Sequence, residues 1–299
     1  MRDVHPRILA IGFAMLLILC SNATAAADTQ SPAATSSRTA LNAAWAQVLD
    51  EHVPLIGRQQ ALSQIEQEAQ TGDQHDLYLL GSLYYMGRRA SGSLVQQDLD
   101  KASLYLSNAA MHGSVLGMAK TAEIKFATHQ YREAMNWAQI YGHYALLLPK
   151  NGRPHDGYAA ELVQRILDKL GRSAIPEIMR DVDSFIALHD AEIRAGTESK
   201  FTGENLHPFP KAKAYVAPDA RFAPRAGFAD YLIAFKPDGS VANVFLLDAV
   251  PDPTLGRTLR EYAMEMAIAP AEGSAGNALR YAWMPVTYDD GRYRVTPAR

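Results

Sequence analysis

The sequence predicts two regions: an N-terminal α-helical repeat region of the α/α solenoid type, and a small C-terminal α+β domain with the element order ββαβ. Two hydrophobic patterns indicate this. Between residues 41 and 196, apolar side chains recur at intervals of three and four, as at Leu62, Ile65 and Ala69, which is the period of an amphipathic helix. Beyond residue 226, apolar and polar side chains alternate, as expected for half-buried strands.

The composition is that of a folded protein without an electrostatic preference for nucleic acid. The chain has 299 residues, of which 48% are hydrophobic, and its net charge is −3. That hydrophobic share favours globular folding over disorder. A small negative charge provides no footprint for nucleic acid or for an anionic membrane. We therefore expect no nucleic-acid partner.

The first 25 residues have the layout of a secretory signal peptide. Arg2 and Arg7 supply a positive end, residues 8–19 are apolar and uncharged, and Ala23–Ala25 (Ala-Thr-Ala) has the form of a cleavage site. A membrane-spanning helix needs about 20 apolar residues, and this run is shorter. We therefore expect cleavage near Ala25, a periplasmic location and no stable membrane insertion afterwards. An uncleaved inner-membrane anchor is the alternative.

The single cysteine, Cys20, lies inside this signal segment. After cleavage the chain would hold no thiol, so we expect no disulfide, no thiolate metal site and no cysteine nucleophile. The next segment, residues 26–40, is rich in Ala, Ser and Thr and is predicted to be a flexible lead-in. The helical region is then expected over residues 41–196.

Two segments of the helical region resemble each other. The first, about 74–113, holds the run Tyr-Leu-Leu-Gly-Ser-Leu-Tyr over Tyr78–Tyr84 and the motif Asp-Leu-Asp-Lys-Ala over Asp98–Ala102. The second, about 114–145, keeps Tyr-Arg-Glu-Ala at 131–134 but has a shorter loop. This pattern resembles the Sel-one-like repeat, a relative of the tetratricopeptide repeat built from pairs of antiparallel helices.

The resemblance implies a scaffold that binds other proteins, because the grooves of solenoids receive partner chains. At least three stacked units are usually needed for stability, so helices at 41–71 and 155–195 are expected to cap the stack. The alternative is an ordinary helical bundle without repeat ancestry.

Residues 197–226 are predicted to form a linker or an extended edge. Four prolines break any helix there, namely Pro208, Pro210, Pro218 and Pro224. Residues 227–299 follow as the C-terminal domain. Its first two strands, near 229–235 and 241–247, flank the turn Pro237–Ser240 and therefore predict a hairpin.

A helix is predicted to start at Asp252-Pro253, with aspartate as the cap and proline at the first helical position. Its apolar stripe includes Leu255, Leu259, Tyr262, Ala263 and Met266, and Pro270 is expected to end it. A third strand is predicted around residues 279–283. A turn at Asp289–Gly291 and a candidate short terminal strand at Tyr293–Val295 complete the domain.

Residues 209–288 resemble the C-terminal domain of TonB-family proteins. The shared features, in order, are Phe209-Pro210, the strand Tyr231–Phe235, the turn and strand Asp238–Val244, a helix from Leu255 and the segment Ala269–Ala271. The family commonly has a Trp-x-Phe pair before this proline, where this chain has Met266 and Ile268. The long proline-rich spacer of energy-transducing TonB is also not found in the sequence.

In the TonB family, the edge strand after the helix accepts an extended peptide from an outer-membrane receptor. The resemblance implies the same role for residues 278–286, because an open strand edge offers unpaired N–H and C=O groups. The expected partner-binding residues are Leu279, Arg280, Tyr281 and Trp283. The alternative assigns Leu279, Tyr281 and Trp283 to the core and makes Arg280 a solvated edge charge.

The sequence contains no nucleophile elbow, phosphate loop, dinucleotide fingerprint or His-Glu-x-x-His motif. We therefore predict a non-catalytic periplasmic adaptor that binds proteins or peptides, including components of the bacterial cell envelope, with no cofactor and no metal. Two alternatives stay open. One is a TonB-family energy transducer that retains its N-terminal helix as an inner-membrane anchor; the other is a cell-wall enzyme whose site the sequence does not reveal.

Overall fold

The computed structural model describes residues 32–90, 92–148, 156–197, 206–211, 226–271 and 278–289. The predicted signal peptide at 1–25, the turn residues 290–291 and the candidate strand at 293–295 lie outside them. Within the described ranges the chain forms a helical region followed by a region of short strands and helices. The helical region consists of α1 (Pro32–Leu49), α2 (Leu55–Ala69), α3 (Gln74–Met86), α4 (Leu99–Met111), α5 (Val115–Ala127), α6 (Tyr131–Leu147), α7 (Asp156–Leu170) and α8 (Ile175–Thr197).

Consecutive helices pack in pairs, most closely α3 with α4 and α5 with α6. These two pairs coincide with the two similar segments of the sequence. Asp98 and Ser114 accept backbone N–H groups at the starts of α4 and α5, so polar side chains determine where these helices begin. Gly81 lets α3 approach α4, since a Cβ there would lie 2.6 Å from Leu106 Cγ.

The C-terminal region contains β1 (Phe209–Pro210), β2 (Ala226–Phe235), β3 (Val241–Val250), α9 (Pro253–Thr258), α10 (Arg260–Met264), β4 (Met266–Ala267) and β5 (Arg280–Asp289). The larger sheet has the order β3–β2–β5, with both pairings antiparallel. The predicted turn joins β2 to β3, and Gly239 supplies its left-handed residue at φ +84°. A second, two-stranded sheet pairs β1 with β4.

The central strand β2 is buried on both faces, which joins the two regions. Its side chains Phe228 and Leu232 belong to the same core as Trp45 of α1 and Leu80 of α3. On the other face, Tyr231 packs with residues of α9 and α10. The larger sheet is thus a layer between the helical region and its own two short helices.

Two boundaries differ from those predicted. Helix α1 begins at Pro32, inside the segment 26–40 that was expected to be a flexible lead-in. The alanines there favour helix and Pro32 suits the first turn, while the later half of the helix is held by the fully buried Trp45. The C-terminal region begins at Ala226, the last residue of the predicted linker or extended edge.

The single helix predicted from Asp252 to Pro270 was wrong in its extent. It forms two short helices that meet at Leu259, and the second ends at Met264. Met266 lies instead in β4, paired with Pro210 of β1. Pairing with a distant extended segment overrides the local helical period here, which sequence periodicity does not report.

In the parts of the chain described by the structure, no helix is both long and apolar enough to cross a membrane.

Candidate protein-binding site

A buried charged cluster joins the helical region to the sheet. The Lys120 ammonium, on α5, donates to Asp230 Oδ2 at 2.6 Å and to Asp248 Oδ1 at 2.7 Å, on β2 and β3. It also donates to Ser82 Oγ of α3 at 2.6 Å. Both Lys120 and Asp248 have side chains with 0% exposure. Removing either partner of an ion pair this deeply buried would leave an uncompensated buried charge, so the pair fixes how the two regions meet.

Tyr78 of α3 completes the cluster. Its hydroxyl donates to Asp230 Oδ2 at 2.5 Å, and the Lys120 ammonium lies 4.2 Å from the centre of its ring. Burial, together with the charges of Asp230 and Asp248, raises the pKa of Tyr78 well above its usual range. The hydroxyl therefore remains a proton donor to Asp230 at every physiological pH.

The cluster contains two carboxyl groups and one ammonium. Burial raises the pKa of Asp248 to about 7; the charge of Lys120 opposes the shift and Asp230 adds to it. Within the described residues, Asp248 Oδ2 has no hydrogen-bond partner. An ionised Asp248 is therefore incompletely satisfied, and its protonation relieves the excess of negative charge.

We expect this group to make the folded protein less stable as pH rises. The folded-state pKa, about 7, exceeds the ordinary value of 3.8, so the folded chain binds this proton more tightly than the unfolded chain does. The contribution is fully present below the ordinary pKa and is lost as pH rises to about 7. Urea unfolding at several pH values checks this, and Asp248→Asn should show a flatter dependence.

Comparing the natural chain with the Asp248→Asn variant isolates the contribution of Asp248, because the other groups with shifted pKa values, such as His75, are present in both proteins. An Asp248→Asn variant with the same pH dependence as the natural chain would contradict the assignment.

Asp230 also lines a cavity of about 510 Å³ between the sheet and the helices. One wall belongs to β5, with Trp283, Pro285 and Thr287. The facing wall belongs to α3, with Tyr78, and to the turn before α5, with Ser114.

His75 lines the same cavity and is uncharged at neutral pH. Burial, and secondarily the charge of Arg38, lowers the pKa of His75 to about 4, although Asp73 and Asp230 oppose the shift. The imidazole lies edge-on to Trp283, with ring centres 6.3 Å apart. The wall above Asp230 is therefore aromatic and neutral.

The outer edge of β5 borders this cavity, and the pairing pattern shows which backbone groups face outward. Lys236 directs both its N–H and its C=O toward the β3 side, bonding to Ser240 and Gly239. Alternate residues of a strand point to opposite neighbours, so Asp230, six residues earlier, also faces β3. Its partner on β5, Pro285, therefore directs its backbone outward. A proline, which has no N–H, fits a ladder only at such a position.

The same alternation places the backbone groups of Trp283 and Thr287 outward. Among the described strands none pairs with this side of β5, and no described group hydrogen-bonds to either N–H. With respect to the described residues, the edge thus offers two N–H groups and, including Pro285, three C=O groups beside the cavity. Such an array accepts a further extended chain.

The four residues predicted to bind a partner divide into two pairs. Leu279, just before β5, is 39% exposed, and Arg280 donates to the carbonyl of Ala269 at 2.9 Å. Tyr281 and Trp283 pack partly buried against the shared core. Partner binding by these residues stays a prediction.

Trp283 also connects β5 to α1 within the chain. Its ring lies edge-on to Trp45 at 5.5 Å, and its indole N–H donates to Asn42 Oδ1 at 3.1 Å. These contacts place the strand, so the side chain determines where the open edge lies as well as lining the cavity.

Sequence patterns missed Lys120, Tyr78 and Asp230 as members of one site. The sequence does mark these residues as unusual. Asp230 and Asp248 interrupt otherwise apolar strands, and Lys120 lies inside an apolar helical run. A charge at a core position indicates a buried partner. The partner could not be named, because Lys120 and Asp248 are 128 residues apart in sequence.

In the described residues, no group of three or more histidine, cysteine, aspartate or glutamate side chains is placed to hold a metal ion.

Fold and site together define a class of architecture: paired helices packed against a small antiparallel sheet, with a cavity at their junction. No family model matches the chain, and no curated protein is significantly similar to it. Among solved structures, the chain is similar to the crystal structure of a protective antigen of uropathogenic Escherichia coli that displays an SLR (Sel-one-like repeat) fold.

The match to the antigen has 16% sequence identity and a TM-score of 0.40. It covers 56% of this chain and 33% of the antigen, so the chain spans about a third of the length of that protein. The paired-helix architecture of the helical region is therefore established by its own pairs, α3 with α4 and α5 with α6.

Proposed function

We propose that this protein is an exported, non-catalytic adaptor that binds an extended segment of another protein along the outer edge of β5. The main support for this proposal is that the β5 edge borders the cavity that Asp230 lines. A segment paired to Trp283 and Thr287 places side chains next to the cavity opening, so backbone pairing supplies affinity and the cavity selects a side chain.

The buried cluster supports this role by fixing the position of the edge. Lys120 ties α5 to both β2 and β3, and Trp283 ties β5 to α1. A docking edge held by core contacts is formed before the partner arrives, which reduces the ordering entropy lost on binding.

We further propose a TonB-like identity for the C-terminal region and a periplasmic location for the mature chain. The strand–strand–helix–strand order of the described residues supports the first, and the signal-like residues 1–25 support the second. Sequencing the N-terminus of the cellular protein tests the location. A start at Ala26 or Asp28 supports export by cleavage, whereas an intact N-terminus in the membrane fraction supports the anchored transducer.

Photo-crosslinking in cells tests the docking edge. We expect a photoreactive amino acid at Leu279, which is 39% exposed and directly precedes β5, to form an adduct with a partner protein. The matched control is Leu104, which is 60% exposed on α4, away from the edge. Adducts at Leu279 alone, with the partner attached through one contiguous peptide, are the expected result.

Absence of adducts, or the same adducts from Leu104, would contradict the proposal. An adduct with a second copy of this chain would replace the adaptor role by self-association.

A further inference from the structure

The larger sheet has a second outer edge, that of β3, with a different chemistry. The run Val241–Leu247 has seven residues without charge, proline or glycine. Such a run on a strand edge tends to pair with other chains. Among the described strands, none covers the outer side of β3.

The outward backbone groups of Val244 are nevertheless occupied. Val244 pairs with Ile233, which directs its own groups toward β5, so those of Val244 face outward. The N–H of Val244 donates to Asn243 Oδ1 at 2.8 Å, and its carbonyl accepts from Arg260 Nη2 at 3.4 Å. Both backbone groups that Val244 would offer to a docking strand are thus bonded to side chains of the same chain.

From this difference we infer that Asn243 and Arg260 close the β3 edge against strand addition, leaving β5 as the docking edge. Asn243 acts from the strand itself and Arg260 from α10, so the closure depends on the position of that short helix. The two residues are specificity determinants of the sheet, because they decide which edge pairs.

The partner that this closure keeps from pairing with β3 is a second copy of this chain. Two β3 edges are self-complementary when antiparallel, because each offers the same apolar run and the same backbone groups. A cavity of about 270 Å³ borders residues Asn243–Leu246, so space exists next to the strand. The two side-chain bonds occupy the backbone groups through which Val244 would pair.

The test uses the full mature chain carrying Asn243→Ala and Arg260→Met. The first removes the acceptor; the second removes the guanidinium but keeps an alkyl chain of similar packing. We expect the double variant to dimerise with increasing concentration in light scattering after size-exclusion chromatography, while the natural chain stays unpaired at β3. The matched control is Arg257→Met, which removes an arginine that lines the same cavity and that, among the described residues, donates no hydrogen bond to β3.

Hydrogen exchange at the Val244 amide gives a second readout that needs no dimer. In dilute Asn243→Ala alone, this amide should exchange about tenfold faster, the equivalent of one lost hydrogen bond. The single variant therefore keeps the inference testable if the double variant unfolds.

Three results would overturn the inference. The first is a double variant that stays monomeric and shows unchanged hydrogen exchange at Val244. The second is an Arg257→Met variant that dimerises as much as the double variant, and the third is dimerisation of the double variant that is abolished by adding Thr287→Pro on β5. Partner adducts at Leu279 should persist in the double variant. A failure at β3 is thus distinguishable from a failure of docking at β5.

Discussion

Replacing Lys120 with methionine is expected to lower the free energy of unfolding by about 3–5 kcal/mol, the range for breaking one side of a buried ion pair. Methionine approximates the length of the lysine stem, so packing is largely kept. The loss arises because Asp230 and Asp248 remain buried beside each other without a cation. Urea denaturation followed by circular dichroism at neutral pH measures the change.

Lys125→Met provides the control on the same helix. The Lys125 ammonium bonds to the side chain of Gln130 at the surface, and we expect a change of about 0.5 kcal/mol or less. The Lys120→Met variant should also regain stability as pH falls, because protonation removes the charges that lost their partner. Equal effects of the two substitutions would show that the cluster does not hold the regions together.

Thr287→Pro is expected to weaken partner binding by about tenfold or more while leaving the fold intact. The substitution removes an outward N–H, and the ring carbon replaces the hydrogen in the path of a docking strand. One hydrogen bond of about 1.4 kcal/mol corresponds to a factor of ten in affinity. The pairing of β5 with β2 should survive, because Thr287 directs its backbone away from β2, as Pro285 does.

Thr287→Val is the matched control, since it keeps the N–H and the branched shape but loses the hydroxyl. Affinities of both variants for the partner identified at Leu279, measured by isothermal titration calorimetry, separate a backbone effect from a side-chain effect. If valine weakens binding as much as proline does, the partner contacts the side chain and not the strand edge.

The core that the two regions share fixes the position of the β5 edge. An edge strand on a loosely attached domain would present its backbone in many orientations. Here Trp283 reaches Trp45 of α1, and Asp230 reaches Lys120 of α5. The helical region therefore forms the cavity wall opposite β5, and its own interior face is largely covered by the sheet.

Local structure could be predicted well where one short segment contains all the information. The cap Asp252, the hairpin turn around Gly239 and the helical periods each depend on residues within a few positions. Prediction from local sequence failed at Met266. Its conformation is decided by pairing with Pro210 of β1, 56 residues earlier in the chain.

The amino-acid sequence by itself determined the order of the long helices and of strands β2, β3 and β5, and the apolar character of their inner faces, because side-chain period and turn chemistry act over a few residues. Only the tertiary structure decided that β2 is central, that β5 and β3 are the edges, and that Lys120 lies between Asp230 and Asp248. Those facts depend on which faces bury each other across more than a hundred residues, and a buried charge selects its partner only when packing brings the two together.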